Sequence, residues 1–292
     1  MRSTFHLLRH TLVFSLLFAS LAVWAFSPPD TVVVDMAAAD RCIREQVKIH
    51  GADRVLVVLD IDNTLLTSAT DLGGDIWYQW QRGELDLKPT EDQKIKECFY
   101  EDAIGLLYEL GTMTLTDERI PGYIREWQAG GLTVFALTSR SPLYRTPTEQ
   151  ELLKQGIDFR PSALRSIEGN RLVLTYDLER PLSYANGILM TTGMNKGDML
   201  HHILGRAGRS FPSIVFVDDS EKNVRNMVSA WEGTPGCDLH VFHYEKVVRD
   251  RMERNGGRVL TPAEAETMAR DWALLQKPSG VSSPAGTWKG NV

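Results

Sequence analysis

Acidic residues recur where apolar runs stop. Val55 to Leu59 is followed by Asp60-Ile61-Asp62-Asn63-Thr64, and Leu132 to Leu137 by Thr138-Ser139-Arg140. Ser213 to Val217 is followed by Asp218-Asp219. Four carboxylates and a hydroxyl brought to one edge require a compensating charge, because like charges held close cannot all ionise cheaply. A divalent cation supplies it, and magnesium, which takes oxygen ligands and keeps several waters, suits such a set. Asp60 and Asp218 are the natural carboxylate pair, with the Asp62 main-chain carbonyl as a third ligand. Asp60 and Asp62 lie two apart just past a strand, so a turn can aim both at one bound group. One carboxylate can attack phosphorus while the other protonates the leaving oxygen and then deprotonates water. The transferred phosphoryl group carries negative charge on its equatorial oxygens. Thr138 can donate to one of them. Lys196, in Met194-Asn195-Lys196-Gly197-Asp198, opens a helix whose N-terminus also favours phosphate.

Those residues need elements to hold them. The three runs are apolar almost throughout, the pattern of strands buried on both faces. Between them the pattern predicts helices over 35–48, 120–128, 196–207 and from Ser220 to Trp231, and a fourth strand over 239–242. Thr90 with Gln93 reads as a capping box opening a long helix that Gly111 stops, and Thr148 with Glu151 as the cap of a short one ending at Gly156. Thr261-Pro262 with Glu264 opens the last helix. Residues 171–176 and 186–191 are expected to pair as a hairpin, a second and smaller cover. Buried strands alternating with helices imply an α/β fold, a three-layer Rossmann-like parallel sheet, whose working site lies beyond the carboxyl ends of the strands. Residues 66–117 are too many for a plain connection and read as a small helical cap inserted after the first of these strands. Trp77, Tyr78 and Trp80 fall in it, as cap core or as a wall stacking on substrate, with core favoured because aromatics dominate small cores.

Taken together, Asp60-Ile-Asp-Asn-Thr64, the strand ending at Thr138, Lys196, and Val217-Asp218-Asp219-Ser-Glu-Lys-Asn223 resemble the four motifs of the haloacid dehalogenase superfamily, in order, over residues 50–245. The resemblance implies that Asp60 forms an aspartyl-phosphate and that Asp62 is the general acid and base. It implies phosphate binding by Thr138 and Lys196, a magnesium ligand in Asp218, and support of the metal by Asp219. The second aspartate of the first motif points to phosphatases over true dehalogenases. Asn223, on the helix of the fourth motif, is expected to support the site by hydrogen bonding, and Arg140 to meet substrate or form a surface salt bridge. Gly74-Asp-Ile-Trp-Tyr-Gln-Trp80 and Asn186-Gly-Ile-Leu189 further resemble an exported, largely uncharacterised bacterial branch.

Composition sets the remaining bounds. The 292 residues carry 43% hydrophobic and 24% charged side chains, an ordinary globular balance. A net charge of −6 with no basic block argues against nucleic acid as the main ligand. Arg2, His6, Arg9 and His10 precede an apolar run from Thr11 to Ala25, in a stretch of 25 residues without one acid. Basic start, short apolar middle and small-residue end read as a cleaved export signal over 1–25, leaving no stable membrane span. The run is short of the roughly 20 residues that spanning requires. The remainder, at −8, is expected in the periplasm or outside the cell. Residues 277–292, rich in Gly, Ser and Pro, are expected to form a loose tail after a domain of 26–276. Cys42, Cys98 and Cys237 lack metal-ligand spacing and read as small buried residues. His201 and His202, adjacent on a helix, point apart, one exposed and one packed. The sequence therefore predicts an exported, magnesium-dependent hydrolase of a small phosphomonoester. Phosphoryl transfer to an alcohol, or a binding protein of the same fold without turnover, stand as alternatives.

Overall fold

The computed structural model describes residues 31–276; the export segment expected at 1–25 and the tail expected at 277–292 lie outside them. The chain runs β1 (Thr31–Val33), α1 (Ala37–His50), β2 (Val55–Leu59), β3 (Leu66–Ser68), α2 (Asp75–Gln81), α3 (Ile104–Leu110), β4 (Met113–Leu115), α4 (Ile120–Ala129), β5 (Thr133–Thr138) and α5 (Arg145–Lys154). It continues through β6 (Leu174–Asp177), β7 (Pro181–Ala185), β8 (Ile188–Met190), α6 (Lys196–Ala207), β9 (Ser213–Asp218), α7 (Glu221–Trp231), β10 (Asp238–Tyr244), α8 (Lys246–Arg254) and α9 (Pro262–Leu275).

The main sheet has the order β1-β10-β9-β2-β5-β8-β7-β6 and is parallel except at β6 and β7. The continuous apolar runs follow from its two covered faces. Val55, Val57 and Leu59 pack on one side with Ile43 of α1 and Ile124 and Trp127 of α4. Leu56 and Val58 pack on the other with Leu200 and Ile203 of α6 and Val224 and Met227 of α7. Successive strand residues point to opposite faces, so a strand covered on both must be apolar at every position. The result is the three-layer α/β fold read from the sequence.

From β2 the chain first builds outward through β5 and β8, then returns to place β9 on the other side of β2. The order reverses between β2 and β9. Such a reversal opens a crevice beyond the strands' carboxyl ends, where ligands bind in open α/β sheets. Leu59 lies opposite Val217 in register, and the Asp60 amide donates to the Val217 carbonyl at 2.9 Å. Asp60 and Asp218 therefore meet at the crevice.

Between β2 and α4 the chain makes an excursion rooted in a separate antiparallel pair, β3 with β4. Trp77, Trp80 and Leu107 of this insertion form a core of their own with Leu260, Ala265 and Met268 at the chain's far end. Trp77 and Trp80 are buried there, and Tyr78 stacks on Phe99 at 5.9 Å, so the two tryptophans are packing residues. Arg251 of α8 fastens the insertion by donating to both Asp71 oxygens at 2.6 and 3.0 Å.

Several expectations are corrected. No helix starts at Thr90. The Gln93 side chain does accept from the Thr90 amide at 3.0 Å, but the Gln81 side chain then captures the Gln93 carbonyl at 2.9 Å and the Ile95 amide at 3.0 Å. Cys98 adopts a left-handed backbone, φ 52°, and helical structure begins only at Phe99. Thr148 is no cap: α5 begins at Arg145, and the Thr148 hydroxyl donates to the Tyr144 carbonyl one turn back at 2.7 Å. The expected covering hairpin is instead a three-stranded extension of the sheet, β8 joining β5 in parallel, because Leu182, Tyr184 and Leu189 share the core of Phe135 and Leu137. Ser220 stands at the N-cap of α7, but its side chain makes no cap bond; its amide donates to Asp218 instead. The capping box at Thr261 and Glu264 is present in full. Cys42 and Cys237 are half-buried, Cys98 is exposed rather than buried, and no disulfide joins the three. His201 is exposed and stacks on Trp231 at 3.8 Å, while His202 packs edge-on against Tyr176.

Candidate active site

The loop leaving β2 is a tight turn. The Leu65 and Leu66 amides donate back to the Ile61 carbonyl at 3.0 and 2.9 Å, and the Asn63 amide donates to the Leu66 carbonyl at 2.7 Å. Asn63 takes φ 54°, which asparagine tolerates better than most residues. Its side chain accepts from Thr67 at 2.9 Å and donates to Asp75 of α2 at 3.1 Å. The turn thus presents Asp60 and Asp62 and also ties them to the insertion.

Lys196 is the hub. It is fully buried, and its Nζ donates to Asp60 Oδ1 at 2.5 Å and to Asp218 Oδ2 at 2.6 Å. Two local features seat it. The Asn195 side chain caps α6 by accepting from the Gly197 and Asp198 amides at 2.9 and 3.3 Å. Gly197 lets α6 approach α7: a Cβ there would stand 2.6 Å from Ala230 Cβ and 2.8 Å from the Asn226 carbonyl oxygen. Asp218 Oδ1 accepts from the Ser220 amide at 2.9 Å and from Asn223 Nδ2 at 3.1 Å, so Asn223 helps to fix the Asp218 carboxylate.

One oxygen each from Asp60, Asp218 and Asp219 lie within 4.8 Å of one another. This brings Asp219 into the same group as the expected ligands. The Asp62 carboxylate stands apart from that group, engaged by Arg140. An all-oxygen donor set of this kind suits magnesium. Burial pushes the Asp60 carboxyl up to about 8 against the pull of Lys196, with Asp218 and Asp62 adding repulsion. Burial likewise raises the Asp219 carboxyl, reinforced by Asp75, Asp60 and Asp218. Lys196 is opposed by burial, but Asp218 and Asp60 outweigh it and hold the ammonium above the ordinary lysine range. Fully ionised, the three carboxylates would outweigh the one lysine, and Asp60 and Asp219 relieve that excess by holding their protons.

Thr138 is buried at the end of β5, and its hydroxyl accepts from the Arg140 amide at 3.1 Å, which leaves the hydroxyl proton to be donated. Arg140 is no surface residue. It is 4% exposed and donates to both Asp62 oxygens, at 2.9 and 2.7 Å. Asp75 also belongs to this edge although none of the four motifs marks it, and burial and then Asp62 push its carboxyl up to about 7. Its signal was its place at the start of the aromatic segment, one turn before Gln79, which donates to it at 2.5 Å. A separate cleft of about 610 Å³ opens in the insertion, edged by Arg82, Lys88, Lys94 and Lys96, and none of the strand-end residues lines it.

Two likenesses to known proteins accompany this geometry. Residues 39–283 match the family described as "Protein of unknown function (DUF2608)". A Chlamydia pneumoniae protein whose printed name is "Putative outer membrane protein" is 24% identical over 176 residues, 60% of this chain. The match covers 64% of that relative's own length.

Proposed function

The chain belongs to that family of unknown function, and from its sheet edge we propose an exported, magnesium-dependent phosphomonoester hydrolase working through an aspartyl-phosphate. One observation carries the reading. Lys196 stands within hydrogen-bond distance of both Asp60 and Asp218, the three drawn from separate segments, with Asp62 two residues beyond Asp60. Export rests on the basic-then-apolar first 25 residues and accords with the relative's name.

In the first half-reaction Asp60 attacks phosphorus. The bond to phosphorus forms as the ester P–O bond breaks, and Asp62, a carboxylate paired with Arg140 in the free protein, takes up a proton as the negatively charged ester binds and gives it to the departing oxygen. In the second, water attacks the phosphorus. Its proton goes to Asp62, the Asp60–phosphorus bond breaks, and inorganic phosphate leaves. Lys196 opposes the desolvation that pushes the Asp60 carboxyl up to about 8, and so favours the ionised form that attacks. Lys196 and Thr138 then bind the phosphoryl oxygens, and Asn223 and the Ser220 amide orient Asp218. Magnesium, held by Asp60, Asp218 and Asp219 with the Asp62 carbonyl, would neutralise the phosphoryl charge when bound.

The test is phosphate release from a broad panel of phosphomonoesters with magnesium, for wild type and Asp60→Asn. Release by the wild type and a fall of at least about a thousandfold in the variant are expected, since nothing else supplies the nucleophile. Equal activity in both proteins overturns the mechanism.

A further inference from the structure

Arg140 has no part in the chemistry above, yet it is one of the chain's buried charges. A buried guanidinium is costly unless its donors are met, and here several elements meet them. Nε and Nη2 form a two-pronged fork on the Asp62 carboxylate at 2.9 and 2.7 Å. Nη1 donates to the Thr148 hydroxyl on α5 at 2.9 Å, and that hydroxyl is itself fixed on the Tyr144 carbonyl at 2.7 Å. One face of the guanidinium lies over the Tyr108 ring, 4.2 Å from its centroid. Tyr108 belongs to α3 of the insertion, and its ring also meets Tyr144 at 5.0 Å. The Tyr144 hydroxyl in turn donates to the carbonyl of Tyr100, again in the insertion, at 2.7 Å.

The guanidinium is thus held along one edge by α5 and over one face by the insertion, and its remaining edge grips Asp62. A planar fork fixes both the position and the plane of a carboxylate, which a single lysine contact does not. A group that must deliver a proton to a leaving oxygen and then collect one from water depends on such fixing, because proton transfer needs hydrogen-bond distance and alignment.

We infer that Arg140 is a positioning residue that sets the Asp62 carboxylate for proton transfer to the leaving group, and that Tyr108 links this hold to the insertion. The inference rests on the hydrolase reading.

Leaving-group dependence separates positioning from mere structural pairing. p-Nitrophenolate departs largely without help, whereas phenolate needs its proton. The full chain with magnesium is assayed on p-nitrophenyl phosphate and phenyl phosphate, for wild type, Arg140→Lys, Tyr108→Leu and Tyr108→Phe. Arg140→Lys keeps the charge and loses the fork; kcat on phenyl phosphate is expected to fall about a hundredfold, with less than about fivefold lost on the nitrophenyl ester and KM little changed. Tyr108→Leu is expected to show the same selective loss, about tenfold, while Tyr108→Phe, which keeps the ring face, stays within about twofold of wild type. Circular dichroism confirms folding, and Tyr108→Leu carries the test should Arg140→Lys fail to fold. Equal losses on both esters in a folded variant overturn the positioning role. Wild type that releases phosphate from neither ester nor any of the broader panel overturns the hydrolase reading and this one with it, a result visible before any variant is made.

Discussion

Lys196→Met should destabilise the protein by roughly 3–5 kcal/mol at neutral pH, the cost of removing one partner from a buried ion pair. The methionine keeps most of the side chain's volume, so little of the loss comes from a cavity. What disappears is the positive charge standing 2.5 Å from Asp60 and 2.6 Å from Asp218, carboxylates that are 4% and 0% exposed. Asp218 keeps the Ser220 amide and Asn223, which holds the loss within that range. A second relief is proton uptake, and it gives the penalty a signature. Asp60 already sits at about 8 with the lysine's help, well above its unfolded value. Without that help its carboxyl goes higher, so the folded variant binds an extra proton over a wider range of pH than the folded wild type. Stability falls with pH wherever the folded state holds more protons than the unfolded. The variant's deficit must therefore shrink toward pH 5 and grow toward pH 8. With a urea slope of about 2 kcal/mol per molar, a 4 kcal/mol loss moves the midpoint by about 2 M. Urea titrations in chelator at pH 5, 7 and 8, followed by tryptophan fluorescence, read both quantities. A loss under about 1 kcal/mol, or an equal loss at pH 5 and pH 8, refutes the charge argument.

Two further outcomes follow from the same geometry, beside those stated for Asp60, Arg140 and Tyr108. Gly197→Ala forces α6 away from α7, because the new Cβ meets Ala230 and the Asn226 carbonyl inside contact distance; a loss of about 1–3 kcal/mol is expected in urea titration, and unchanged stability would show that the two helices need not approach so closely. In chelator, wild type should lose stability as pH rises from about 4 to 8. The Asp60 and Asp75 carboxyls are raised in the fold to about 8 and about 7, so the folded state holds the extra protons in that window. The carboxyls held low, such as Asp117 and Asp158, act below it. Magnesium should raise the thermal midpoint more at pH 8 than at pH 5, and a midpoint that climbs with pH in chelator contradicts the assignment.

The sheet was legible because burial on both faces leaves a strong trace: β5 and β9 begin and end within a residue of the apolar runs, and α6 matches its reading at both ends. The residues that meet at the sheet edge were legible for a related reason: one polar strand end is routine, but parallel strands bring the polar ends of three such runs to one edge. What escaped were features set by contacts distant in sequence. The helix expected from Thr90 fails because Gln81, outside the pattern being read, takes its backbone groups. The burial of Arg140 is invisible in Thr138-Ser139-Arg140, because it is created by Asp62, Thr148 and Tyr108, from three other segments. Asp75 lies in a stretch marked in the sequence by its tryptophans, and the turn at Asn63 ties it to the edge.

The balance of charge at that edge makes the case for a cation stronger than any one residue does. Five carboxylates interact there, Asp60, Asp62, Asp75, Asp218 and Asp219. Arg140 is committed to Asp62, and Lys196 is divided between Asp60 and Asp218. Asp75 is met by the amides of Asn63 and Gln79. The carboxyls short of a cation therefore lie on the Asp60, Asp218 and Asp219 side, where burial and mutual repulsion raise Asp60 and Asp219 and make them hold protons that a bound cation would displace. A phosphomonoester would bring further negative charge to a place already short of cations. Under the hydrolase reading Lys196 cannot serve the ester and both aspartates alone, so a divalent ion must bind before the ester or with it, and ester affinity should collapse when magnesium is withdrawn.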